Sequence, residues 1–317
     1  MSTRIGTWEL IDHFATGGVA EIYRARDTSS GEVVIIKRIR PDLEFDPEKH
    51  AGFYRELQLA LLCTHKNLIR GIAKGTQNGA DYGVLEYVDG PDLGAVLSRA
   101  TAARIAIEPS IATWVVGEVL DGIDFAYRLT DGTGRELGLV HRDLTPKNIF
   151  VRYDGQVRVG DFGSSLASKQ EPADVVVGTP GYLSPEQALL QPLDHRSDVY
   201  AAGLLLQELV TGLPAFDLSG GKWSAKKSDA ALLKAHQRNQ RRPLPTSVPE
   251  DLRMVIEIAT ALDPADRYQS AREMKRGLAR TDSPPRAESA DELSTLVRRL
   301  FAAELRASRI PGLASYA

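Results

Sequence analysis

The stretch "HRDLTPKNIF", residues 141–150, places His141, Arg142, Asp143, Lys147 and Asn148 within eight positions. Burying such charges with nothing to hold carries a desolvation cost of several kcal/mol per ion. The run is therefore read as the lining of a site. "DFG" follows at Asp161, Phe162 and Gly163. Asn148 and Asp161 fall at the ends of two short strand patterns, "NIFVRYDG" and "QVRVGDFG". Two oxygen donors in that arrangement suit Mg²⁺, which takes few protein oxygens and completes its shell with phosphate and water. Asp143 is then placed to accept the proton of a hydroxyl nucleophile. Lys147 is placed to offset charge on a moving phosphoryl group. Each residue alone fits a solvated loop; their conjunction in this order does not.

Upstream, the first ninety or so residues read as strand-rich. "EIYRARD" and "EVVIIKRI" are β-branched and flank "TSSG", a hairpin signal. "PEKHAGFYRELQLALLCT" repeats apolar residues at helical spacing through Phe53, Leu57 and Leu61. Lys37 lies in the apolar run "VVIIK" and needs a partner there. Glu56, in the helical pattern, is the candidate, although a lone Lys–Glu pair also fits a purely structural role. "ATGGVAEIY" is a small-residue turn whose backbone N–H groups can approach phosphate. "YGVLEYV" reads as a further strand, and "DGPD" breaks the chain at an expected lobe boundary.

The remainder reads as mainly helical. "SIATWVVGEVLDGIDFAYRL" and "SDVYAAGLLLQELVTG" are apolar enough to be buried helices. "TDSPPRAESADE", from residue 281, reads as a linker. Beyond it Leu293, Leu296, Val297, Leu300, Phe301 and Leu305 recur at helical spacing, as expected of a helix docked on the body or of one that takes a regulatory partner. The chain has 317 residues, and at this size single cores give way to more than one unit. A formal net charge of -3 gives no general pull toward nucleic acid or anionic membrane. The basic "RNQRR" at 238–242 lacks interleaved aromatics, and "GGKWSAKKSD" reads as an exposed insertion. Neither a membrane-spanning run nor a signal-peptide core is read in the chain. The single cysteine, Cys63, excludes an internal disulfide and suits a reducing compartment. A cytoplasmic protein is the resulting expectation.

The ordered set "ATGGVAEIY", "VVIIK", Glu56, "HRDLTPKN", "DFG", "GTPGYLSPE", "DHRSDVYAAG" and "DPADRY" resembles the eukaryotic-type protein kinase family, and most of all bacterial serine/threonine kinases, over roughly residues 8 to 280. The resemblance implies an α+β fold of two lobes: a β-rich N-lobe with one long helix (1–88), a mainly helical C-lobe (89–280), and a linker with helical tail (281–317). It implies ATP with Mg²⁺, or Mn²⁺ in its place, and protein substrates. By this likeness Lys37 binds the α- and β-phosphates and is oriented by Glu56, Asp143 is the catalytic base, and Asn148 and Asp161 hold the metal. The nucleotide is contacted from Ala15, Gly17, Gly18, Ala20 and Ile22 in the glycine-rich turn and its flanks. Ile35, the gatekeeper Leu85, and the hinge residues Glu86 and Val88 complete its pocket. Thr179 lies beside Asp143 near the substrate hydroxyl. Glu186 pairs with Arg267, Asp198 holds the catalytic loop through backbone N–H groups, and His141 is structural. Arg142 braces the activation segment, residues 161 to 186.

Four departures from the family pattern carry expectations. Ala15 and Ala20 stand where glycine is usual, a strain of about 1 kcal/mol if either needs positive φ. Ile35 replaces the usual alanine and narrows the adenine pocket. Thr145 occupies the usual lysine position, and Lys147, further on, resembles the tyrosine-kinase arrangement, which leaves dual specificity open beside Ser/Thr specificity. The activation segment offers only Ser164, Ser165 and Ser168 before Thr179 as phosphosites. Glu171 or Asp174 would give Arg142 a permanent carboxylate, so little loop phosphorylation is expected. The alternatives to an active protein kinase are a pseudokinase that binds nucleotide or acts as scaffold, and a small-molecule phosphotransferase on a related fold.

Overall fold

The computed structural model describes residues 4–162, 166–167, 176–216 and 230–307; the side chains of 166–167, 230–233 and 307 are outside the description. A six-stranded antiparallel sheet forms first, from β1 (Arg4–Ile5), β2 (Trp8–Thr16), β3 (Ala20–Asp27), β4 (Val33–Ile39), β5 (Gly71–Gln77) and β6 (Ala80–Glu86), in the order β1-β2-β3-β4-β6-β5. Period-2 alternation separates its faces. Val34 and Ile36 bury on one face with Ile5, Ala25, Tyr82 and Val84. Ile35, Lys37 and Ile39 belong to the other.

That second face carries α1 (Pro47–Leu62). Asp46 caps the helix by accepting from Glu48 N and Lys49 N, and Pro47 supplies a first-turn φ without needing a donor. Phe53 and Leu57 bury with Ala20, Ile39 and Ala80. Two glycines let the helix lie close. A Cβ on Gly83 would fall 2.0 Å from Leu57 Cδ2, and one on Gly71 would fall 2.7 Å from the Ala60 carbonyl carbon.

The second lobe is built on α3 (Pro109–Tyr127) and α5 (Arg196–Thr211), both buried around most of their circumference. Around them pack α2 (Leu93–Ala102), α4 (Pro185–Ala188), α6 (Ala230–Gln237), α7 (Glu250–Ala259) and α8 (Ala271–Leu278). Short strands β7 (Leu139–Val140), β8 (Ile149–Val151), β9 (Val157–Val159) and β10 (Leu166–Ala167) form two ribbons, β8 with β9 and β7 with β10. The loops at their ends lie under the sheet lobe, since Ile69 N donates to Val159 O at 2.8 Å. Cys63 is fully buried, and burial pushes its thiol up to about 12.

The stretch read as a linker lies against the helical lobe. Ser283 O accepts from Thr113 Oγ1, Asp282 N donates to Asp251 Oδ2, and Pro285 packs on Gly117. The tail then forms α9 (Glu288–Leu300), a break at Phe301, and α10 (Ala302–Ala307). Leu293, Leu296, Val297 and Phe301 are buried in the main core, so the tail's apolar face docks on the body. Arg99 fastens it through Leu300 O, the Phe301 ring and the Glu304 carboxylate. Among the described residues no helix is long and apolar enough to cross a membrane.

Candidate active site

Lys37 sits mid-strand, paired with Ile22 on β3 and Gly83 on β6. Its Nζ is 2.5 Å from Glu56 Oε1 and 3.6 Å from Asp161 Oδ1. Burial opposes the charged ammonium, but the Glu56 and Asp161 carboxylates outweigh it and hold the lysine pKa above its usual value. Lys37 therefore stays cationic between two carboxylates, the charge state that binding an anion requires.

The glycine-rich turn joins β2 to β3. Gly17 N donates to Ala20 O at 2.8 Å, closing it tightly. Gly18 is exposed, and Arg40 Nη1 lies 3.4 Å from both Gly17 O and Gly18 O. The condition for strain at Ala15 and Ala20 is not met. Neither has positive φ, because Ala15 is within β2 and Ala20 opens β3, so both take extended backbone that alanine adopts freely. Ala20 packs on the α1 cluster, where a small side chain fits. Ile35 is half-buried, paired with Leu85 across the strands, and in phase with Lys37. Glu86 N donates to Arg70 O, and Val88 is buried.

The catalytic-loop cluster is held from below. Asp198, 3% exposed, accepts from His141 N at 2.7 Å and Arg142 N at 3.0 Å. Burial pushes its carboxyl pKa up despite those bonds. His141 is buried, with Nε2 3.0 Å from Gly160 O and its ring against Phe162, a structural role. Arg142 and Asp161 both lie in the left-handed region, at φ 66° and 62°. Each such residue costs on the order of 1–2 kcal/mol, and such strain concentrates where function requires a fixed direction.

Asn148 Nδ2 donates to Asp143 O at 2.8 Å and to Asp143 Oδ2 at 3.0 Å. Asp143 Oδ1 is buried with no hydrogen-bond partner among the described residues. An orphaned carboxylate oxygen is what an incoming hydroxyl donor would satisfy. Both Asn148 bonds use Nδ2, which leaves the Asn148 amide oxygen as a candidate donor to a cation, and the Asp161 carboxylate is half-exposed. No group of three or more His, Cys, Asp or Glu side chains that could cage a metal occurs among the described residues. The two-donor pair fits Mg²⁺ shared with phosphates and does not fit an all-protein site. Lys147 is exposed, with its stem 3.6 Å from the position of a Cβ on Gly94, and Thr145 is buried.

The segment after residue 176 lies against this loop. Gly178 takes φ 125°, and a Cβ there would fall 2.8 Å from Arg142 O. Thr179 O accepts from Tyr182 N at 3.1 Å. Glu186 and Arg267 form a buried bidentate pair at 2.7 and 2.8 Å, with Ser197 Oγ adding a third bond to Glu186. Their expected pairing is thus present. Ser164, Ser165, Ser168, Glu171, Asp174, Gly163 and the 220–229 insertion lie outside the described residues.

Two side chains here escape sequence reading. Gln187 bonds both Arg142 O and Val177 O, and His236 on α6 accepts from Gly181 N. The spacing of Ser184 and Gln187 does signal a capping box, which the structure forms. It gives no hint of the bonds to Arg142 and Val177. His236 carries no local signal at all.

A two-lobed fold with a paired lysine, a loop aspartate tied to an asparagine, and a second aspartate facing them defines the class. Residues 8–277 match the model of the protein kinase domain. The chain belongs to the protein kinase family. It is 32% identical over 275 residues to the tyrosine-protein kinase MasK of Myxococcus xanthus, covering 84% of this chain and 41% of that protein. It is 33% identical to the serine/threonine-protein kinase PknB of Mycobacterium leprae, covering 88% and 44%. It is 34% identical to the probable serine/threonine-protein kinase SCO3848 of Streptomyces coelicolor, covering 85% and 39%. The chain thus spans less than half the length of these curated relatives.

Proposed function

We propose that this chain transfers the γ-phosphoryl group of ATP to serine or threonine hydroxyls of proteins, itself included. The observation that carries the reading is the cation–carboxylate set, Lys37 at 2.5 Å from Glu56 and 3.6 Å from Asp161, together with an Asp143 oxygen that has no hydrogen-bond partner among the described residues. A scaffold has no need to maintain that set at the expense of two strained backbone positions, so the pseudokinase reading is disfavoured.

In this reading Lys37 binds the α- and β-phosphates, and the turn through Gly17 and Gly18 covers them. Adenine lies between Ile35 and the hinge at Glu86 and Val88. Asn148 and Asp161 would hold Mg²⁺, which when bound supplies charge neutralisation at the β- and γ-phosphates. The substrate oxygen attacks the γ-phosphorus, the bond to the β–γ bridging oxygen breaks, and ADP leaves. The hydroxyl proton passes to Asp143, whose Oδ1 is available for it. Thr179 and Lys147 lie on the substrate side.

The serine/threonine assignment rests on "GTPGYLSPE" and on relatives bearing that name; the MasK likeness and the Thr145/Lys147 exchange keep tyrosine as the rival acceptor. Residues 1–88, 89–280 and 281–317 are the units that suit this reading. The single buried thiol and the lack of a membrane-crossing helix among the described residues suit a cytoplasmic site of action.

The test is transfer from labelled ATP with Mg²⁺ to the chain itself and to a basic protein, beside Asp143→Asn. Loss of the base should lower the rate about 10²- to 10⁴-fold. Phosphoserine or phosphothreonine made by the wild type supports the reading. Phosphotyrosine alone overturns the acceptor assignment, and equal rates in both proteins overturn the role of Asp143.

A further inference from the structure

We propose that Gln187 is a positioning residue that sets the distance between the peptide platform, residues 176–183, and the catalytic loop, with His236 as the platform's second anchor. The inference rests on the kinase reading above and adds how the peptide is aligned to Asp143.

Gln187 is 4% exposed, and each polar atom of its amide is engaged. Nε2 donates to Arg142 O at 2.8 Å and to Val177 O at 3.0 Å, while Oε1 accepts from Ser184 N at 3.0 Å. Arg142 O belongs to the residue just before Asp143, and Val177 O to the residue before the close-approach Gly178. One amide nitrogen therefore bridges the loop that holds the base and the segment that would hold the peptide. A planar group with all bonds made has no freedom to swing, so the separation of the two carbonyls is fixed.

At the far end of the platform, His236 is fully buried and accepts from Gly181 N at 3.1 Å through Nε2. The Phe216 ring, 3.9 Å away between centroids, keeps the imidazole in place. Tyr182, next in the chain, is hydrogen-bonded to Glu208 on α5. The platform is thus held at Val177, Gly181 and Tyr182 by groups from three different helices, and of these three groups Gln187 is the one hydrogen-bonded to the catalytic loop among the described residues.

Gln187→Glu is the informative change. It keeps size and the bond from Ser184 N, but a carboxylate has no N–H for Arg142 O and Val177 O and repels both. His236→Phe keeps the ring stack and removes the acceptor. Misplacement of a reactant by about 1 Å costs up to 10²-fold, so kcat/KM for peptide should fall about ten- to a hundredfold in Gln187→Glu. The KM for ATP should stay at the wild-type value. The share of ATP turnover that reaches peptide rather than water should drop, and drop in the same direction in His236→Phe. Equal losses of peptide transfer and ATP hydrolysis, or a wild-type share in both variants, would overturn the proposal. Gln187→Met, of similar length and without charge, serves if the glutamate variant does not fold, with the same expected readouts. Absence of any transfer by the wild type would remove the kinase reading, and this proposal falls with it. Wild-type transfer with unaltered coupling in the variants sinks this proposal alone.

Discussion

Asp198→Asn tests how the catalytic loop is held. The native carboxylate takes one backbone N–H on each oxygen, His141 N at 2.7 Å and Arg142 N at 3.0 Å. The amide keeps one acceptor and turns an NH₂ group toward the other donor. One charge-assisted bond is lost, worth about 1.5–3 kcal/mol, and a buried N–H is left without a partner at about 1–3 kcal/mol. Removing the charge relieves part of the burial cost that pushes this carboxyl up. A net loss of about 2–4 kcal/mol remains on these figures. Arg142 is held at φ 66°, and the strain of about 1–2 kcal/mol there is released if the loop lets go. Asp143 then moves, and a shift near 1 Å is worth about 10² in rate. Urea unfolding gives the stability change, and single-turnover transfer from labelled ATP gives the rate. An Asp198→Asn protein with wild-type midpoint and wild-type rate would refute the argument that these two bonds maintain the loop.

Two further outcomes follow from packing and titration. Gly155 takes φ 81°, and a Cβ there would lie 1.9 Å from Ala290 O, at the start of α9. Gly155→Ala should destabilise by about 2–4 kcal/mol through strain and overpacking, and should make the tail the first site of limited proteolysis. Burial pushes the His236 imidazole down to about 4 from 6.5, so the unfolded chain binds its proton first as pH falls. The neutral form's contribution is complete above pH 6.5 and is lost progressively toward pH 4, about 3 kcal/mol in all. Urea midpoints of wild type against His236→Phe across that window should converge as the solution is acidified. Parallel curves would show that His236 does not titrate with folding.

Much of the site was legible because its chemistry is compressed into short runs. Asp143, Lys147 and Asn148 are neighbours in sequence, and a lysine inside "VVIIK" demands a carboxylate that the facing helix supplies at Glu56. Strand and helix periods identified β3, β4, α1, α3 and α5, since each must turn one or more apolar faces inward. Whether Ala15 and Ala20 are strained was not legible, because residue type does not fix φ; the folded backbone at both is extended. The tail was legible as an amphipathic helix but not as to its partner, since periodicity specifies that a face is covered and not by what. Leu293, Val297 and Phe301 meet the main core, which only the folded chain reveals.

The amino-acid sequence supplies the chemical groups of the candidate site: the ions and amides are local, and their cost when idle marks them. Tertiary structure decided where those groups stand. Asp198 under the loop, Gln187 between loop and platform, and His236 against Gly181 act across separations of 57, 45 and 55 residues. Contacts of that range depend on how α4, α5 and α6 pack, and no local propensity encodes them. The left-handed backbone at Arg142 and Asp161 has the same origin. Arginine is poorly suited to it and aspartate tolerates it better, and both are held in it by the fold.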